Sequence, residues 1–266
     1  MSVSIKDIAE RANVSPSTVS RALSDHPHIS EETKLQIRRL AAEMGYTPSL
    51  VARSLVTQDT ATLGVVITEA ADPYLSDLVM SIEKTAQAHG YTVLLSSSYF
   101  DAVRELQAVY AFHGRRVRGI VVIGSQIAQG YLDRDEHLPP ITLTNSPTYP
   151  SSISCDNVAG ARQAVEHLYQ LGHRRIAYIG SRRSQSSNRA RMNGYLQVMA
   201  EHGIGFDPSL VLEQDGTLDG GRRAAGTLLS LEPLPTAVFC FNDMTAIGLL
   251  NALQQQGVCV PQQMSV

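Results

Sequence analysis

The chain has 266 residues, 43% hydrophobic and 18% charged, with a net charge of −3. That composition suits a small module plus one or two larger globular domains, and it excludes a nucleic-acid binder that relies on a bulk basic surface. No basic segment leads into an apolar core at the start and no apolar run reaches ~18 residues, so neither a secretory leader nor a membrane span is expected. Cys155, Cys240 and Cys259 lack paired spacing; neither a disulfide framework nor a zinc site is expected, which favours a reducing cytoplasmic setting.

Ser4 followed three residues later by Asp7 forms a capping box and opens a first helix. Ile5, Ile8, Ala9 and Ala12 fall on one apolar face of it. Asn13, which tolerates a left-handed backbone, ends it. Ser15 then caps a second helix, and Pro16 occupies a first turn where a missing N–H is harmless. Val19, Ala22 and Leu23 supply its buried side, which leaves Pro16, Ser17, Ser20 and Arg21 outward. Ser30 caps a third helix with Ile37, Leu40, Ala41 and Met44 inside, closed by Gly45. Two short helices joined by a tight turn are the sequence form of a helix-turn-helix, which lays its second helix in the DNA major groove.

The first 60 residues hold seven Lys/Arg and seven Asp/Glu, so the placement of cations has to carry DNA binding. Non-specific affinity is therefore expected to be modest and strongly salt-sensitive. Ser17 and Arg21 are the candidates for direct base reading, since Pro16 offers only apolar contact; Arg21 could alternatively clamp a phosphate. Thr18 and Ser20 suit phosphate contacts better than base contacts, and Ser15 is a further candidate DNA contact.

Lys6-Asp7-Ile8-Ala9, then Val14-Ser15-x-x-Thr18-Val19-Ser20-Arg21-x-Leu23, then Gly45-Tyr46-x-Pro48-x-x-x-Ala52-Arg53-x-Leu55 form a combined pattern over fifty residues. With these pieces the chain resembles the LacI/GalR family of bacterial transcription repressors. The resemblance implies a dimeric, cytoplasmic regulator that binds palindromic double-stranded operator DNA. It makes residues 49–55 a hinge helix, with Ala52 among the DNA contacts and Leu55 wedged into the minor groove. A seven-residue helix is far below the ~12–15 residues that stand alone, so it needs a partner and a surface to form.

From Thr62 the pattern alternates between strand and helix. Strands are expected at 63–67, 91–95, 119–123, 141–144, 176–179 and 237–241, with helices at 72–89, 103–112, 158–171, 189–202, 220–231 and 244–256. Apolar, β-branched runs of this kind belong to parallel strands covered by helices on both faces. The fold class is thus α plus α/β, and the resemblance implies a two-subdomain effector core similar to periplasmic sugar-binding proteins. The expected organisation is 1–47 for the DNA-binding domain, 48–60 for hinge helix and linker, and 61–157 and 158–266 for the two effector subdomains. Members of the family also run on past the position of Val266, so strands returning to the first subdomain are expected beyond it.

In open α/β sheets ligands bind beyond the carboxyl ends of the strands. Asp72-Pro73-Tyr74 follows the first strand and matches an Asn-Pro-Phe-like loop of the family, with aspartate in place of asparagine. Asn145 follows strand 141–144. Arg191, ahead of Gly194-Tyr195, matches the arginine that the family uses on effector hydroxyls or carboxylates, and Asn242-Asp243 matches its Asn-Asp pair. Asp72, Tyr74, Asn145, Arg191, Asn242 and Asp243 are therefore the candidate effector ligands, and amides, carboxylates and a guanidinium together suit a small, sugar-like effector. Each also has a structural reading: Asp72 and Asp243 could cap their helices, and Arg191 could form a surface salt bridge.

The doublets Arg174-Arg175, Arg182-Arg183 and Arg222-Arg223 read as solvated surface, and His26 and His28 alone do not make a metal site. No G-x-S-x-G, Walker loop or strand-linked G-x-G-x-x-G occurs, so neither enzyme chemistry nor a cofactor is expected. A sugar-binding receptor without DNA regulation is the competing class, and the helix-turn-helix argues against it.

Overall fold

A computed structural model describes residues 3–46, 60–127, 137–146, 149–182 and 185–266, which divide into two compact units, Met1–Thr60 and Ala61–Val266. In the first unit α1 (Ile5–Ala12), α2 (Pro16–Leu23) and α3 (Glu31–Glu43) surround one small core. Ile8, Ala9, Val19, Ala22, Ile37 and Ala41 form it, with Ile5, Ala12, Leu23 and Met44 packed against it. Both sides of the capping box between Ser4 and Asp7 are present, and Asn13 closes α1 at φ 53°. The loop between α2 and α3 is tied down by a side chain that its sequence pattern does not advertise. Lys34 is 5% exposed, with its ammonium 3.1 Å from Asp25 and 2.7 Å from Glu31. Arg38 reaches the same Asp25 carboxylate at 3.0 Å.

The second unit holds two parallel sheets. β1 (Thr62–Ile67), β2 (Thr92–Ser97), β3 (Gly119–Val122), β4 (Ile141–Thr144) and β5 (Ser152–Ile153) pair in the order β2-β1-β3-β4-β5. α4 (Pro73–Ala88) and α5 (Ala102–Gly114) cross between its strands, and α6 (Asn157–Gln170) follows. β6 (Ile176–Ser181), β7 (Val211–Gln214) and β8 (Ala237–Cys240) pair in the order β7-β6-β8, with crossovers α7 (Gln185–Glu201) and α8 (Leu218–Leu229), then α9 (Asp243–Gln255). Ser265 adds a parallel bridge to Ala237.

All six positions of β6 are buried, as a central strand covered on both faces requires. Two strands escape the sequence reading. β5 has only two residues, and β7, Val-Leu-Glu-Gln, shows no apolar run. Both are edge strands, whose pairing is decided by neighbours rather than by pattern. Among the described residues no helix is long and apolar enough to cross a membrane.

The described arginines of these doublets are bound into the surface, Arg182 lying 3.7 Å from Glu213, while Arg183 lies outside the described residues. Arg175 pairs with Asp207 at 2.7 Å, Arg222 with Asp219 at 2.8 Å and Arg223 with Asp215 at 2.6 Å, while Arg174 lies 3.7 Å above the Tyr169 ring. The parallel topology places the loops at the carboxyl ends of the strands, where ligand groups converge in open α/β sheets.

Candidate functional site

In the first unit α2 presents an outward face. Ser15 is its N-cap: Oγ accepts the Thr18 N–H at 3.1 Å and lies 2.7 Å from Ser17 Oγ and 2.8 Å from Thr18 Oγ1. Three hydroxyls thus share one turn and fix the start of the helix. Pro16, Ser17, Ser20 and Arg21 are exposed, and Thr18 is half-buried. Arg21 makes no ion pair among the described residues, which leaves its guanidinium donors available. Ala52 and Leu55 lie outside the described residues.

In the second unit a cleft of about 570 Å³ opens among the starts of α6 and α9, the end of β8 and the side of α7. Arg191, Asn242 and Asp243 line it, together with Cys155, Asp156, Asn157 and Phe241. Arg191 extends from α7; its Nε donates to Asn157 Oδ1 at 2.9 Å and its Nη1 donates to the Phe241 carbonyl. The guanidinium also stacks 4.7 Å above the Phe241 ring. Its hydrogen-bond partners are neutral oxygens, so no carboxylate of the described residues neutralises its charge.

Asn145, in a left-handed backbone at φ 54°, connects to this group through Asn157. Asn157 Nδ2 donates to Asn145 Oδ1 at 3.3 Å and to the Cys155 carbonyl at 3.2 Å. One hydrogen-bonded chain therefore links the loop after β4 in the first sheet with α7, which flanks the second.

The structural readings of several candidates are also realised. Asn242 is the N-cap of α9, accepting from the Thr245 N–H at 3.0 Å and its hydroxyl at 2.6 Å, while its Nδ2 donates to the Gly216 carbonyl at 2.9 Å. Asp243 follows it in the first helical turn, where a carboxylate complements the helix dipole, and is exposed. Asp72 caps α4 by accepting the Tyr74 N–H at 2.9 Å. Tyr74 is 62% exposed, and neither it, Asp72 nor Asn145 is among the residues lining the cleft. Burial pushes the Cys240 thiol up to about 12, so the cleft wall holds a neutral thiol rather than a nucleophile.

Sequence reasoning missed Asn157. It sits beside Asp156, whose carboxylate caps α6 by accepting the Ala159 N–H at 2.9 Å. The pair reads as a helix start in sequence, and only folding brings the Asn157 amide between Asn145 and Arg191.

Residues 4–49 match the family described as bacterial regulatory proteins, lacI family, and residues 60–266 match periplasmic binding proteins and sugar binding domain of LacI family. The chain is 32% identical over 266 residues to the HTH-type transcriptional repressor CytR of Escherichia coli K12, covering 98% of this chain and 78% of that protein. Its fold is similar to that of the lac repressor dimer bound to operator and the anti-inducer ONPF, with a TM-score of 0.90 at 28% identity, covering 100% of this chain and 82% of that one. It is also similar to the transcriptional regulator CelR in its cellobiose complex, with a TM-score of 0.69 at 26% identity, covering 99% and 81%.

Proposed function

The chain belongs to the LacI family of bacterial regulatory proteins, and from that premise we propose a cytoplasmic repressor that grips a palindromic operator as a homodimer under the control of a small polyhydroxylated effector. The observation that carries this reading is the presence of both an exposed α2 face and a cleft whose guanidinium, on Arg191, has only neutral hydrogen-bond partners among the described residues. Ser17 and Arg21 read bases, Ser15, Thr18 and Ser20 meet phosphates, and Pro16 adds apolar contact. Residues 48–60 act as the hinge, with Ala52 and Leu55 at the minor groove. Arg191, Asn145, Asn242 and Asp243 hold the effector between the 61–157 and 158–266 subdomains, while Asp72 and Tyr74 close on it from the first. A sugar fits such donors and acceptors, in keeping with the cellobiose bound by CelR.

Regulation follows from linkage. An effector that prefers one arrangement of the two subdomains changes operator affinity by its differential binding to the two states. No step requires covalent chemistry, so the proposal includes no enzymatic turnover.

Selection of bound duplexes from a random library at physiological salt tests the reading. Recovery of an inverted repeat supports it, and recovery of nothing above background refutes it. The recovered operator then reports on a panel of mono- and disaccharides that includes cellobiose. A change in operator affinity with at least one sugar is expected, and no change with any of them would remove the sugar effector from the proposal.

A further inference from the structure

We infer that Asn157, which lines the cleft, is a positioning residue that fixes hydrogen-bond polarity there, so that Arg191 in the wall and Asn145, bonded to Asn157 at its edge, both offer donors to the effector. The inference rests on the effector reading above and narrows the ligand to one that meets this wall with oxygen acceptors: hydroxyl, carbonyl, carboxylate or ring oxygen.

A guanidinium has only donors, so the end of the Asn157 amide that faces Arg191 Nε at 2.9 Å must be its oxygen. The amino end then points the other way and meets two acceptors, Asn145 Oδ1 at 3.3 Å and the Cys155 carbonyl at 3.2 Å. Both Asn157 N–H groups are used. Asn145 Oδ1 also receives the Cys155 N–H at 3.4 Å, so both of its lone pairs are engaged. What is left of Asn145 is its amino group, which has no acceptor among the described residues.

The direction is propagated from Arg191 through Asn157 to Asn145, and neither amide can turn without leaving a donor facing a donor. Two anchors hold the origin of this chain. Arg191 also donates to the Phe241 carbonyl and stacks on the Phe241 ring, so the guanidinium is fixed from both sides. At the other end, the Asn145 N–H is tied to the Ile153 carbonyl at 3.0 Å, which holds that residue in its left-handed conformation. A ligand amino group brought to Asn145 would meet N–H with N–H, whereas a hydroxyl oxygen would be accepted.

Asn157→Asp tests the direction. The variant keeps an oxygen for Arg191 and replaces the amino group by a second acceptor, so Asn145 must turn and donate to it. The readout is hydrogen exchange of the assigned side-chain amide protons in 15N-labelled, ligand-free protein. In the wild type the Asn157 amino protons should exchange about tenfold slower than those of Asn145, as a hydrogen-bonded donor does beside a solvated one. In the variant the Asn145 amino protons should become protected by a similar factor. A role in stability alone would lower protection generally without moving it from one amide to the other.

Protected Asn145 amino protons in the wild type would overturn the inference, as would unprotected ones in a folded Asn157→Asp protein. Should that variant not fold, the wild-type measurement still decides, and Asn145→Asp provides a second test. Its carboxylate can accept from Asn157, so the Asn157 amino protons should stay protected, and their loss of protection would contradict the assigned direction. No sugar is present in these measurements, so their failure is distinct from a failure of the effector reading.

Discussion

Gly248→Ala and Gly226→Ala should change stability in opposite directions, although both replace a helical glycine in the same unit. Alanine is favoured over glycine in a helix interior by about 0.8–1 kcal/mol, and that gain applies to each. Gly226 lies on α8 with nothing within 4 Å of an added methyl, so Gly226→Ala should stabilise by about 0.5–1 kcal/mol. On α9 an added methyl at Gly248 would overlap the Leu218 carbonyl, a backbone group that cannot rotate away. The two helices must then separate, loosening the core of Ala224, Ala225, Leu228, Leu249 and Leu253. Overpacking costs about 1–3 kcal/mol, and overlap with backbone that cannot yield belongs to the upper part of that range, about 2–3, so after the helix gain the variant should be less stable by about 1–2 kcal/mol. For a unit of this size that is a fall in Tm of roughly 2–8 °C. Calorimetry and urea unfolding of the two variants beside wild type provide the assay. A Gly248→Ala protein melting at or above wild type would refute the claim that close backbone approach sets the α8–α9 contact.

Three further outcomes are expected. Arg21→Ala should weaken binding to a selected operator by about 1–3 kcal/mol while affecting random DNA far less; equal losses on both would make Arg21 a phosphate clamp. Tyr195→Phe should destabilise by about 1–2 kcal/mol, read by chemical denaturation, because the buried Ile176 carbonyl would lose the hydroxyl that donates to it at 2.9 Å. Asp207 falls from 3.8 to about 2, held ionised by the Ser209 hydroxyl and then by Arg175. A depressed carboxyl stabilises the fold above its unfolded pKa and loses that effect as pH falls through the folded one. Asp207→Asn should therefore melt below wild type at neutral pH, with the difference shrinking between pH 3.8 and about 2; a constant difference across that window would contradict the ion pair.

Elements governed by local chemistry were readable from sequence. The caps at Ser4, Ser15, Ser30 and Asp72 and the left-handed Asn13 lie where residue type alone places them. Strand Ile141–Thr144 was bounded correctly because Pro139-Pro140 and Asn145 punctuate it. What escaped depends on partners distant in sequence. α7 begins at Gln185 rather than at 189, since Gln-Ser-Ser-Asn carries no apolar period. The burial of Lys34 depends on Asp25 arriving from the preceding loop. Among the site residues, the cleft position of Arg191 was legible by resemblance, whereas the bond from Asn157 to Asn145 exists only once the two sheets are formed.

The exposed face of α2 has a consequence for how such a regulator can diversify. Pro16, Ser17, Ser20 and Arg21 are exposed and contribute nothing to the core, while Val19 and Ala22 on the same helix are wholly buried. If this face reads DNA as proposed, substitutions on it can retarget the protein to another regulatory sequence at little expense in folding, as long as the Ser15 cap and the inner pair are kept. On that reading the DNA address is a nearly free evolutionary variable, carried on a helix of eight residues.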